Sequence, residues 1–323
     1  MSAKRVYLPV LLFLITVLSA LPLQAAEVRE TKVRQIKAGA TSVTIEWDDL
    51  YTGNGELLSQ QVVYGKNISS LTKKSKVLPA SVRKYTVTGL NKNSSYYVRV
   101  NIRVKLPGGS TTSGYYGIVV NTKSTKPSVA AYDYGKSHKA LRVAWKKPAG
   151  TNILKYEYQI LNNSGKRVKK GTVSSNLLEL SSFRYWGQVC RIRVRAFCEY
   201  NSENKKWYGP WSSYKALVPQ PIVRKDTGKY GIRKDGTLEL AWRKVTGARK
   251  YTVYISKNST SGYRKAAVVK ASSGKTVRTT IRSFEGEKFR QYTHYYVMIV
   301  TSSRYGKSGK IYYTDFYTYL KLI

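Results

Sequence analysis

Cysteine, histidine and carboxylates are all scarce in this 323-residue chain, and each shortage closes off a class of chemistry. Two cysteines, Cys190 and Cys198, are too few to staple a small scaffold. They bracket one run, Cys190-Arg-Ile-Arg-Val-Arg-Ala-Phe-Cys198, that reads as a single extended strand. At ~3.3 Å per residue its ends stand far beyond the ~7 Å that a bridge tolerates, so both are expected as small buried hydrophobes. The two histidines, His138 and His294, sit in no ligand spacing, and no metal or cofactor is expected. Asp and Glu together number 17. Their closest pairs, Asp48-Asp49 and Glu285-Gly-Glu287, do not read as two acids opposed across a cleft. With no Gly-x-Ser-x-Gly elbow and no phosphate-cradling glycine loop, no catalytic residue is assigned and the chain reads as no enzyme.

Long apolar runs are missing too, except at the N-terminus. Lys4 and Arg5 precede an apolar stretch from Val6 to Leu18 and a small-residue end at Ala25-Ala26, the layout of a secretory signal peptide over residues 1–26. The alternative is the same segment kept as a membrane anchor. No later window approaches the ~20 apolar residues of a span, so the remainder is expected outside the cell, secreted or at the surface.

What the chain does have is a repeat. Trp47, Trp145 and Trp242 recur at spacings of 98 and 97, each ending an alternating strand: Val43-Thr-Ile-Glu-Trp47, Leu141-Arg-Val-Ala-Trp145 and Leu238-Glu-Leu-Ala-Trp242. Further period-two runs follow each Trp, with Gly, Ser and Asn clusters between them and little room for helices. Prolines at Lys126-Pro127 and Pro219-Gln-Pro221 mark linkers. The expected fold class is all-β, three tandem sandwiches over 27–124, 125–220 and 221–323 after the leader.

Each segment resembles a fibronectin type III, immunoglobulin-like domain. Leu90 followed by Tyr96 matches that family's tyrosine corner, in which a phenol hydroxyl bonds nearby backbone. The middle segment departs from it, with Cys190 at the Tyr position, and in the third Tyr295 and Tyr296 both fit. The third segment, through Gly247-Ala-Arg-Lys-Tyr-Thr-Val-Tyr-Ile255, is also similar to repeats of bacterial multi-module surface proteins. These likenesses imply a fold and a binding role, not a chemistry.

The charge is one-sided: 57 Lys and Arg give +40 overall. Without the leader the net charge climbs from +9 over 27–124 to +13 over 125–220 and +16 over 221–323. Arg191, Arg193 and Arg195 alternate with apolar residues and are expected in a row on an outer face, with Trp207 and Trp211 supplying rings for their guanidinium planes. This arrangement is similar to the tryptophan–arginine ladder of cytokine-receptor domains, although Trp207 and Trp211 are four apart rather than three. Lys166, Arg167, Lys169 and Lys170 form a second basic cluster. Together they suggest a binding or adhesion protein whose partner is an anionic cell-wall or surface polymer or an acidic glycan, with nucleic acid bound only as a non-specific polyanion. The alternative is a receptor-like module that meets another protein through loops at a sandwich end.

Overall fold

The computed structural model describes residues 33–317 except 49, 51–53, 153, 201–204, 226–229 and 310. The leader at 1–26, Asp49 and the final run from Tyr319 lie outside the described residues. Within them the alternation read from sequence becomes strand after strand, gathered into three pairs of sheets.

The first pair comprises β1 (Val33–Ala38), β2 (Val43–Trp47), β3 (Glu56–Gly65), β4 (Lys73–Lys74), β5 (Lys84–Val87), β6 (Ser95–Lys105) and β7 (Thr111–Asn121). One sheet runs β1-β2-β5 and the other β4-β3-β6-β7. The second pair holds β8 (Ser128–Asp133), β9 (Leu141–Lys146), β10 (Lys155–Leu161), β11 (Arg167–Val173), β12 (Leu177–Leu180), β13 (Cys190–Tyr200), β14 (Lys205–Tyr208) and β15 (Lys215–Leu217). Its sheets are β12-β9-β8 and β11-β10-β13-β14, with β15 also on β13. The third pair holds β16 (Gly231–Ile232), β17 (Leu238–Arg243), β18 (Ala248–Ser256), β19 (Arg264–Lys270), β20 (Thr276–Ile281), β21 (Tyr295–Ser303), β22 (Gly306–Lys307) and β23 (Thr314–Phe316). Here the order is β16-β17-β20 and β19-β18-β21-β22, with β23 on β21.

Each pair closes on its own apolar core, and the three repeated tryptophans lie inside them at 0–1% exposure. In the second and third cores the indole meets a tyrosine edge-on, Trp145 with Tyr156 and Trp242 with Tyr251, both at 5.3 Å between centroids. In the first, Trp47 Nε1 instead donates to buried Gln60 Oε1 at 2.8 Å. The tyrosine corner is present twice. Asn91 N–H donates to the Tyr96 hydroxyl at 2.8 Å, and Arg290 N–H to the Tyr295 hydroxyl at 3.1 Å, so Tyr295 rather than Tyr296 closes the third corner. In the middle segment, where Cys190 carries no hydroxyl, the adjoining backbone bonds across to the next sandwich: Thr246 N–H reaches Gly187 O at 3.0 Å and Val189 N–H reaches Thr246 O at 2.9 Å.

Such junction contacts fix the sandwiches against one another. Between the first two, Asn93 O accepts from Thr151 and Asn152 N–H at 2.8 and 3.1 Å, while Asn152 Nδ2 donates to Thr122 O at 3.1 Å. Gly150 makes this close approach possible, because at φ +131° a Cβ there would stand 2.2 Å from Asn93 O. Between the second and third, the Tyr132 hydroxyl lies 3.1 Å from Lys307 O and Tyr312 donates to Asp133 Oδ2 at 2.7 Å.

Candidate functional site: the arginine face of the middle sandwich

Strand β13 presents alternate residues to opposite faces. Cys190, Ile192, Val194, Ala196 and Cys198 go into the core, and both cysteines are free and buried. Burial pushes the Cys190 thiol up to about 12 and Cys198 up to about 11. Arg191, Arg193 and Arg195 therefore share the outer face, as the alternation required, each half-buried.

Three of the rings between them come from the end of β14 and the segment that follows it. Gly209 N–H bonds Ala196 O at 2.9 Å and Ser212 N–H bonds Val194 O at 2.8 Å, which lays residues 209–214 alongside β13. The aromatic residues then fall three apart, at Tyr208, Trp211 and Tyr214. Arg195 Cζ lies 3.8 Å from the Tyr208 centroid and 4.6 Å from Trp211, and Arg193 Cζ lies 4.5 Å from Trp211 and 5.1 Å from Tyr214. Arg191 Cζ stands 5.2 Å from Tyr214 and 4.4 Å from Tyr305, which belongs to the third sandwich. Arg304 Cζ also contacts Tyr305, 4.5 Å from the ring centroid. Four guanidinium groups thus contact four rings in one connected row, each contact contributing ~0.5–1 kcal/mol at an exposed site.

Trp207 is not one of those rings. It pairs with Cys198 across β13 and β14 and packs against the core, whereas its neighbour Tyr208 pairs with Phe197 on the outer face. A shift of one residue on a strand exchanges faces, so the sequence reading had the wrong partner of an adjacent pair. The spacing Tyr-x-x-Trp-x-x-Tyr was the signal for the right set. Tyr305, 114 residues beyond Arg191, carried none.

The second basic cluster is divided by the same alternation. Lys170 lies opposite Gln159 on β10 and Arg167 opposite Leu161, placing both on the arginine face. Lys169 lies opposite buried Ile160, at the other side of the strand, and Lys166 sits in the hairpin turn, its N–H bonded to Asn162 Oδ1 at 2.9 Å.

Among the described residues, negative charge meets this face at one end only. Arg195 pairs with Glu157 at 2.6 Å, and Glu199 beyond it binds Lys155 and, at 3.6 Å, Lys206. Arg193 has only the neutral Gln159 Oε1, at 2.8 Å. Among the described residues Arg191 and Arg304 meet no carboxylate, and Arg191 Nε is buried with no hydrogen-bond partner. The ladder is thus neutralised near Tyr208 and increasingly unneutralised toward the third sandwich.

Neither histidine joins it. His294 lies 2.9 Å from Asp315 and stacks on Tyr317, while His138 packs near Tyr312, where burial lowers its pKa. Among the described residues no group of three His, Cys, Asp or Glu side chains could hold a metal, and no helix is long and apolar enough to cross a membrane.

Residues 27–114 match the family model of the fibronectin type III domain. The chain is built of tandem β-sandwiches, and the first of them matches that family. Human neogenin is 31% identical over 121 residues, covering 36% of this chain and 8% of that protein. Rat neogenin is 27% identical over 159 residues, 46% of this chain and 11% of its own length. A kelch domain-containing protein of Saccharolobus solfataricus is 26% identical over 153 residues, 47% of this chain and 20% of its own. The chain therefore spans a small part of each of these relatives. The crystal structure of the chicken CNTN1 FN1-FN3 domains aligns over 88% of this chain and 97% of that one at 13% identity, with a TM-score of 0.27.

Proposed function

We propose that this chain is a non-catalytic binding or adhesion protein of the cell exterior, made of sandwiches over 27–124, 125–220 and 221–323 behind a cleaved leader. Its ligand is an anionic polymer or acidic glycan, held on the outer faces of the second and third sandwiches. The observation that carries this reading is the ladder itself. Stacking prepositions Arg191, Arg193 and Arg304 without neutralising them, so an anion that arrives there meets fixed cations and causes little further loss of side-chain entropy.

Heparin and polyphosphate, titrated against the full chain at two salt concentrations, test it. Each phosphate contacted contributes about 0.7–0.9 to the slope of log affinity against log salt. Replacing Arg191, Arg193 and Arg195 with Gln lowers that slope but also unstacks the rings. Changing Lys166, Arg167, Lys169 and Lys170 to Gln leaves the stack intact and is expected to lower the slope through Arg167 and Lys170. Absence of binding to either polymer at low salt refutes the reading. The similarity to a stretch of neogenin would then favour a protein partner met by loops at a sandwich end, which need not show steep salt dependence.

A further inference from the structure

The last long strand of the first sandwich is unlike its counterparts. In the second sandwich that edge is broken into β14 and β15 around Gly209-Pro210 and carries Lys205, Lys206 and Lys215. In the third it is broken into β22 and β23 and carries Lys307. Interruption, proline and lysine are the ordinary means by which a sheet edge is kept from pairing with another chain. β7 has none of them: Thr-Thr-Ser-Gly-Tyr-Tyr-Gly-Ile-Val-Val-Asn runs unbroken from Thr111 to Asn121 with no charge and no proline, in a chain where 23% of residues are charged.

β6 satisfies one side of β7 through pairs from Ser95–Asn121 to Lys105–Thr111. The other side is closed at a single point. Asn121 N–H donates to Gln35 Oε1 and Asn121 O accepts from Gln35 Nε2, both at 2.9 Å, so one side chain mimics a paired strand there. Because antiparallel backbone groups alternate in direction, the N–H and C=O groups of Val119, Gly117, Tyr115, Ser113 and Thr111 point to that same side. All five residues are exposed, Tyr115 by 53% and Val119 by 48%, and no described strand is hydrogen-bonded to them on that side.

The face beside this edge is cationic. Arg99, Arg103 and Lys105 on β6 share it with Tyr97 and Asn101; Glu56 on β3 lies opposite Lys105, and among the described residues no ion pair joins any of the three cations to a carboxylate. Arg99 Cζ stacks 4.6 Å from the Tyr115 centroid, leaving Arg99 Nε and Asn101 Oδ1 buried without hydrogen-bond partners. A strand added beyond β7 would lie about 10 Å from β6, two strand spacings, within joint reach of a Glu and an Arg side chain. A second copy of this chain would instead bring the same cationic row against its mate, on top of +40 for each chain.

We propose that β7 is a docking edge that takes up an extended acidic segment of a partner protein as a fifth strand of the β4-β3-β6-β7 sheet, main-chain bonds giving affinity and alternate carboxylates giving selectivity. The test uses the full chain and a synthetic dodecapeptide of alternating Glu and Val. Hydrogen exchange is expected to slow at the amides of 111, 113, 115, 117 and 119 on adding this peptide, and to be unchanged by a Lys-Val peptide of equal length. Ser113→Pro with Val119→Pro removes two outward donors and spares the β6 ladder, a position at which edge proline is tolerated. Circular dichroism should stay the same while affinity falls roughly tenfold or more. Arg191→Gln with Arg193→Gln removes the polyanion face and should leave the slowing at those five amides unaltered, which separates this edge from that face. No slowing with the Glu-Val peptide, or slowing that the proline pair does not relieve, overturns the proposal. Slowing that depends on protein concentration without peptide overturns the acidic occupant and assigns the edge to a second copy.

Discussion

Cys190 and Cys198 behave as hydrophobes with a titratable atom. Their folded thiols ionise only near 12 and 11, above the ordinary thiol value, because burial penalises the thiolate. A group whose pKa is raised by folding lends its full stability below its unfolded value and loses it as pH climbs toward the folded one. The middle sandwich is therefore expected to weaken between about pH 9 and 12, and urea unfolding at stepped pH should show the loss. Cys190→Ala with Cys198→Ala should flatten that dependence, whereas an unchanged slope would assign it to tyrosines. At pH 8 a thiol reagent should label neither cysteine until the protein is unfolded. The repeated tryptophans set the larger energies: Trp145→Ala is expected to cost about 3–5 kcal/mol, as for other large core truncations, read from the urea midpoint.

At the scale of the element, the ladder separates two neighbouring tryptophans that sequence alone treats alike. Trp211→Ala removes a ring shared by Arg193 and Arg195 and should cost about 1–2 kcal/mol while leaving every charge in place. Trp207→Ala opens the core instead and should cost more; equal losses would contradict the assignment of faces. The fold was legible because period-two burial is a local property: Val43, Ile45 and Trp47 announce their face without reference to any other strand. The same rule placed Arg191, Arg193 and Arg195 correctly. It failed at Trp207 because the face of β14 is set by its pairing with β13, which the residues of β14 alone do not fix. It could not reach Tyr305 at all, since that contact depends on how two sandwiches are joined. The open edge of β7 is equally invisible in the sequence, because its meaning comes from the absence of a neighbour.

On the scale of the whole molecule, the junctions decide whether the three sandwiches act as beads or as one body. Gly150→Ala forces a Cβ against the backbone of Asn93 in a conformation that side chains avoid. It should loosen the first junction without unfolding either partner, and small-angle scattering should report a changed envelope with an unchanged denaturation midpoint. An unaltered envelope would mean that the Asn93 contacts do not orient the array. The second junction goes further, because the third sandwich supplies Tyr305 and Arg304 to a stack otherwise built by the second. Cutting the chain between sandwiches would leave Arg191 with a ring on one side only, and Arg304 would depart with Tyr305. The smallest piece that folds and the smallest piece that displays the full cation row are then different pieces. Dissection into single modules, the usual route to mapping a tandem protein, would underestimate binding here for reasons unrelated to misfolding.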